Sequence, residues 1–279
     1  MSVWHGLTLA GYLLSAIAAL VMAVWLASRA EKTARGWQAS AAAFAVMACW
    51  AVARPMFGPD GALAPLLLSA SYLAWLWALY RMFAMDGRHE RLGPIRPLVL
   101  ALGFVGFMQI ALALAAPGER TASGAQEILR LSLAFRVLFC VGALVLVHNL
   151  YATASSEARA SLRWPAAAMG GMWFYDLNFF AVSYLAKTTP ALIAALRGVM
   201  PLAMAVLFAL GAMSRERQAA FRPSRSVAFQ SFSLLVILVY FSLLVVAFQG
   251  IAAAGGDSLR LAQMGFLVAA SALALALLP

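Results

Sequence analysis

Three ionisable side chains lie where a bilayer would leave them little water. Arg136, Asp176 and Arg197 each fall inside a long apolar run of this 279-residue chain. Such groups are costly within a membrane, usually turn toward one another or a cavity, and are functional candidates by default. At a helical rise of about 1.5 Å per residue, they lie about 8, 15 and 10 Å from the ends of their runs that face a common side. The expected arrangement is an intramembrane cluster, with Asp176 pairing with Arg197 and with Arg136 in reach. It could hold three helices together, or it could contact a signal or ligand.

No other constellation reads as catalytic. His148-Asn149, followed by Tyr151, offers one imidazole where a metal site needs several converging ligands, so no metal is expected. His89-Glu90 lies in a short basic loop with no following helix long enough for a dimerisation hairpin, and His5 is a terminal interface residue. Cys49 and Cys140 sit in apolar runs without a CxxC pattern and read as small buried hydrophobes. The sequence holds no glycine-rich phosphate loop, zinc motif or Ser/His/Asp set. No cofactor is expected for this chain.

The elements that must position these residues are membrane spans. Hydrophobic residues make up 65% and charged residues 11%, against about 25% charged in a soluble domain. A span needs about 20 mainly apolar residues. The apolar runs give nine: 4–26, 37–53, 62–80, 97–116, 131–151, 165–186, 190–211, 227–249 and 260–278. Their continuous apolarity calls for an all-α, polytopic transmembrane bundle, because barrel strands would alternate. The second run is short and alanine-rich. The first lacks the basic leader of a signal peptide and is read as a retained span.

Orientation follows from Lys and Arg in short loops. Thirteen fall in loops or helix edges on one side, five on the other, and two within spans. The richer side is assigned to the cytoplasm, giving an outer N-terminus and a cytoplasmic C-terminus. The net charge of +10 is then a consequence of topology, and no nucleic-acid partner is expected. The outer loops are short, the longest running from 117 to 130, so any stimulus would be met in the bilayer or at its surface.

The sixth and seventh runs carry small residues four apart: Ala166/Gly170, Ala167/Gly171, Ala191/Ala195 and Ala194/Gly198. Such pairs let helix backbones approach, so these two spans are expected to pack closely. The aromatics around Asp176 and Asn178 are read as packing and interface residues.

The second half of the chain carries a distinctive order of short motifs. These are His148-Asn149-Leu150-Tyr151, Arg163-Trp164, Tyr175-Asp176-Leu177, Arg197-Gly198 and Ser224-Arg225-Ser226-Val227-Ala228-Phe229-Gln230-Ser231, then Gly255-Gly256. In order and spacing they resemble the N-terminal membrane region of PrsK-type sensor histidine kinases of the PEP-CTERM/exosortase system. The match covers roughly 145–260; the first four spans match in hydropathy alone. It departs at Gln230, where His is expected, and after the glycine pair, where Trp-Gly often follows. The resemblance implies a sensor in the bacterial cytoplasmic (inner) membrane, linked to exopolysaccharide production and protein sorting. It also implies a homodimer through the parent kinase, ATP as substrate of a cytoplasmic domain that these residues lack, and a response regulator as partner. Positions carried over are His148, Asn149, Tyr151, Trp164, Tyr175, Gly198, Ser224, Arg225, Phe229 and Ser231. The expected kinase would come after the last span. The rival expectations are a small-molecule or ion transporter using the Arg/Asp cluster, an enzyme acting on lipid-linked substrates, and an assembly partner.

Overall fold

The computed structural model describes residues 3–28, 35–58, 61–84, 95–119, 121–186 and 191–218. The spans expected at 227–249 and 260–278, and with them the nine-span count, lie outside the described residues. So do Ser224, Arg225, Phe229, Ser231 and Gly255-Gly256.

The described residues are helical, with no strand among them. In lipid a lone apolar segment can satisfy its backbone only by closing hydrogen bonds within itself. The helices are α1 (Val3–Ser28), α2 (Arg35–Phe57), α3 (Leu63–Ala84), α4 (Arg96–Ala115), α5 (Ala122–Thr153), α6 (Ser156–Ala186), α7 (Ala191–Arg197) and α8 (Met200–Gln218). Six stretches are long and apolar enough to cross a membrane: Thr8–Ser28, Gly36–Phe57, Leu63–Phe83, Arg96–Gly118, Ala122–Thr153 and Ile193–Gly211. The chain is therefore a polytopic helical membrane protein.

Three departures from the expected spans have local causes. The stretch expected to form an outer loop at 117–130 is mostly helix, because Thr121 caps α5 by accepting the Gly124 N–H at 3.1 Å. Its oxygen satisfies one of the donors that a helix start leaves open. The stretch expected to be one span over 190–211 is two helices, with a turn at Gly198-Val199. Pro201 has no N–H to return to the carbonyl of Arg197, and its ring clashes there. The backbone tightens instead, with Gly198 N–H donating to Ala195 O at 3.0 Å and Val199 N–H to Leu196 O at 3.0 Å. The N–H of Leu202 goes to Ser15 Oγ of α1 at 3.2 Å.

The third departure is α6. It is long enough to cross a membrane but is not among the six strongly apolar stretches, because its middle holds Tyr175, Asp176 and Asn178. It tolerates them by being enclosed. From Met172 to Ser183, every residue except Phe174 is buried.

Helix α6 packs mainly on α5 and α8 and only slightly on α7; α2 lies against both α1 and α3. The sixth and seventh runs do lie together, but through α6 and α8; α7, which carries Ala191/Ala195 and Ala194, touches α6 only slightly. Gly171 has nothing within 4 Å of where a Cβ would sit, whereas Gly198 and Gly11 let α1 pass the α7–α8 turn. A Cβ on Gly198 would lie 2.9 Å from Tyr12, and one on Gly11 would lie 3.4 Å from Val199. The alanines of α2 serve a similar end. Ala39, Ala41, Ala43, Ala48, Ala51 and Ala53 are buried, bringing Phe44 into contact with Trp75 of α3 and Phe208 of α8. Those ring centroids are 4.9 and 5.1 Å away, both edge-on. Cys140 is buried as expected, but Cys49 is exposed on α2.

Candidate functional site

The centre of the bundle is organised around one carboxylate. Asp176 Oδ1 accepts from Arg197 Nε at 2.7 Å, and the two side chains are only 7% and 6% exposed. The Tyr72 hydroxyl of α3 donates to the other oxygen, Oδ2. Three helices thus meet at one acidic group, and both its oxygens are engaged. An ionised carboxylate survives burial when its charge is paired and its lone pairs are filled.

Arg197 is enclosed by rings. Its guanidinium carbon lies 4.5 Å from the Phe179 centroid, 4.7 Å from Phe180 and 5.2 Å from Trp50. A cation over an aromatic face gains about 0.5–1 kcal/mol when exposed and about 2 kcal/mol or more when desolvated. The aromatic residues of α6 therefore do form a cage, and the cation inside it is the chain's own arginine. Beside it, the Tyr175 hydroxyl donates to Ile193 O, tying α6 to α7 one turn before the break.

Arg136 is placed differently from the expected pairing. It is buried in α5 with its guanidinium carbon 5.3 Å from the Phe180 centroid. It has no ion-pair partner among the described residues. Asp176 and Arg197 pair, and Arg136 and Arg197 both lie over the ring of Phe180.

Of the other sequence-selected positions, Gly198 lies at the helix break against Tyr12, next to the Arg197 cage. His148, Asn149, Tyr151 and Trp164 lie away from this cluster, around the turn between α5 and α6. Ser155 Oγ accepts the Ala158 N–H at 3.2 Å to start α6, and Arg159 Nη2 donates to the carbonyls of Ala152 and Ala154, both at 3.2 Å. The Arg159 guanidinium also covers Tyr151 at 5.7 Å. Trp164 lies under Arg163 and against Gly211 of α8. These contacts hold a helical hairpin and form no converging ligand set; no group of His, Cys, Asp and Glu able to hold a metal occurs among the described residues.

A small cavity of about 20 Å³ opens beside the ion pair. It is lined on its polar side by Ser71, Tyr72, Asp176 and Arg197, and at the start of α8 by Met200 and Pro201. Sequence reasoning missed Tyr72, Trp50 and Tyr12, all from the first three helices. The signal for Tyr72 was its neighbourhood, Ser69-Ala70-Ser71-Tyr72, a polar patch inside an apolar run.

Fold and site define a class, a helical membrane protein with a buried ion pair beside a broken helix. No protein family, curated protein or solved structure matches the chain.

Proposed function

We propose that this chain is the membrane-embedded sensing region of a PrsK-like two-component histidine kinase in the bacterial cytoplasmic membrane. In this reading it has nine spans, an outer N-terminus and a cytoplasmic C-terminus. It works as a homodimer whose kinase domain uses ATP and passes phosphate to a response regulator. One observation carries the reading: four motif positions, Tyr175, Asp176, Arg197 and Gly198, sit together at a buried site, an ion pair next to a helix break. A change in the α7–α8 angle would shift the far end of α8, which is how a signal could travel toward a kinase.

The test is a chimera. Joined after Pro279 to the dimerisation and catalytic domains of a well-characterised histidine kinase, the chain should set that kinase's output. Asp176→Asn or Arg197→Gln should then shift regulator phosphorylation severalfold at matched chimera abundance. Identical output from wild type and both variants overturns the sensing role. A reporter after Pro279 checks the orientation, and a periplasmic signal there rejects the nine-span topology.

A second reading, a small-molecule or ion transporter, draws support from the cavity beside the broken helix, since discontinuous helices commonly form transporter sites. Flux into proteoliposomes holding this chain alone, abolished by Arg197→Gln, would favour it over the kinase sensor.

A further inference from the structure

One end of the α3–α4 pair carries two arginines without counter-charges. Arg81 lies in the last turn of α3 and is part-exposed; Arg96 opens α4 and is exposed. The ion pairs among the described residues are Arg130–Glu127 and Arg197–Asp176, so neither Arg81 nor Arg96 is neutralised by one of them. The connecting residues 85–94 hold Asp86 and Glu90 against Arg88 and Arg91. Those charges cancel, and the excess at this end comes from Arg81 and Arg96.

Helix packing puts both arginines on one side. Gly106 of α4 lies directly against Leu73 of α3. From that contact Arg81 is eight residues onward and Arg96 ten residues back. Along antiparallel helices these are about 12 and 15 Å in the same direction, so the two residues are nearly level. At about 100° per residue both also come round by about 80°, which in an antiparallel pair is the same side. Helix α5 occupies the other side, where Leu102 lies 2.6 Å from the Cβ position of Gly142 and Gln109 donates to Ser132 O at 2.9 Å.

An open apolar furrow runs from the arginines toward the middle of the bundle. By the same count Trp77, Leu100, Gly103 and Phe107 fall on the arginine side. Trp77 is 52% exposed, and Gly103 has nothing within 4 Å of where a Cβ would sit. The Arg81 guanidinium carbon lies 5.3 Å from the Trp77 centroid, at the head of the furrow. A guanidinium over a ring face keeps its N–H donors, which lie in its own plane, free for an acceptor.

Exposed apolar residues alone mark a face turned to lipid, and Trp is a common interface anchor. The charge at the head selects among lipids. A zwitterionic headgroup brings its own cation, whereas an anionic phosphodiester lacks one and fits the planar fork of arginine. From the arginines to the Leu73–Gly106 contact the furrow is about 12–15 Å long, close to half of the roughly 30 Å hydrocarbon core and so to the depth of one leaflet.

We propose that the α3–α4 furrow is a binding site for one anionic phospholipid. Its phosphate accepts from Arg81 and Arg96, and an acyl chain runs past Trp77 over Gly103. The site is independent of the kinase reading and of the orientation of the chain.

The full chain in a neutral maltoside detergent would be titrated with phosphatidylglycerol and with phosphatidylcholine, and bound lipid counted by native mass spectrometry. One phosphatidylglycerol should be held at least about tenfold more tightly than phosphatidylcholine. Arg81→Gln and Arg96→Gln should each weaken it about fivefold. Arg130→Gln, an arginine already paired with Glu127, should leave it as in wild type. Gly103→Leu fills the furrow without changing charge and should weaken it severalfold. Glycerol phosphate, which has the headgroup charge and no chains, should not displace it. Equal affinity for the two lipids, unchanged affinity in both arginine variants, or displacement by glycerol phosphate overturns the proposal. The comparison of the two lipids is made on the wild-type chain and needs no variant to fold.

Discussion

Removing both partners of the buried pair should destabilise the bundle far less than the sum of removing each alone. Asp176→Asn keeps an acceptor for the Tyr72 hydroxyl but leaves Arg197 without a counter-charge. That places it near the lower end of the roughly 3–5 kcal/mol expected for breaking one side of a buried pair. Arg197→Gln strands the carboxylate with Tyr72 alone and also empties a cage of three rings, so its loss should approach about 5 kcal/mol. The double variant has no stranded partner, and its loss should be about 4–5 kcal/mol instead of the roughly 8 of the summed singles. The coupling is then about 3 kcal/mol, well above the few tenths expected of independent sites.

The assay is reversible unfolding in mixed micelles, followed by tryptophan fluorescence, for wild type, both singles and the double. The fluorescence reports directly, since Trp50 lies over Arg197 and Trp75 and Trp173 are fully buried. Additive losses within about 0.5 kcal/mol would refute the argument that this ion pair organises the centre of the bundle.

The same geometry makes two further outcomes testable. Gly198→Ala should cost about 1–3 kcal/mol, because the added Cβ meets Tyr12 at 2.9 Å and the Ala195 carbonyl at 3.2 Å, and Tyr12→Ala in the same chain should recover part of that in the unfolding assay. Gly171→Ala meets nothing within 4 Å and should be stabilising by up to about 1 kcal/mol through helix propensity; a loss in the same assay would show that the Ala167/Gly171 face packs after all.

Much of the helical framework was legible because lipid makes the rule simple: a long apolar run must close its own hydrogen bonds. The alanine-rich α2 looked weak by hydropathy, yet small side chains are what an enclosed helix needs between α1 and α3. The reading failed where one residue redirects a backbone. Pro201 splits the seventh run, and Thr121 extends α5 into the expected loop, although both are standard boundary residues. Apolar counting is insensitive to them, since neither changes the hydropathy of its neighbourhood enough to end a run.

The site was half legible for a related reason. Charges in apolar runs stand out, so Asp176 and Arg197 could be selected from the sequence. Tyr72, Trp50 and Tyr12 could not, because aromatic residues are common in spans and their role depends on which helices are neighbours. Small-residue spacing pointed at the sixth and seventh runs, which do pack together through α6 and α8, but it does not specify what each small residue meets; Gly198 receives Tyr12 of α1. Arg136 shows what this ambiguity means energetically. Charge alone favoured its joining Asp176, yet the carboxylate's two oxygens were already filled by Arg197 and Tyr72, one from a helix that sequence had not connected to the cluster. Once Tyr72 occupies that place, Arg136 has no carboxylate among the described residues. The excess positive charge at the centre of the bundle is therefore a consequence of how α3 packs, and Tyr72→Phe should show it: the freed Asp176 oxygen becomes available to Arg136, so Arg136→Gln should cost more stability in the Tyr72→Phe chain than in wild type.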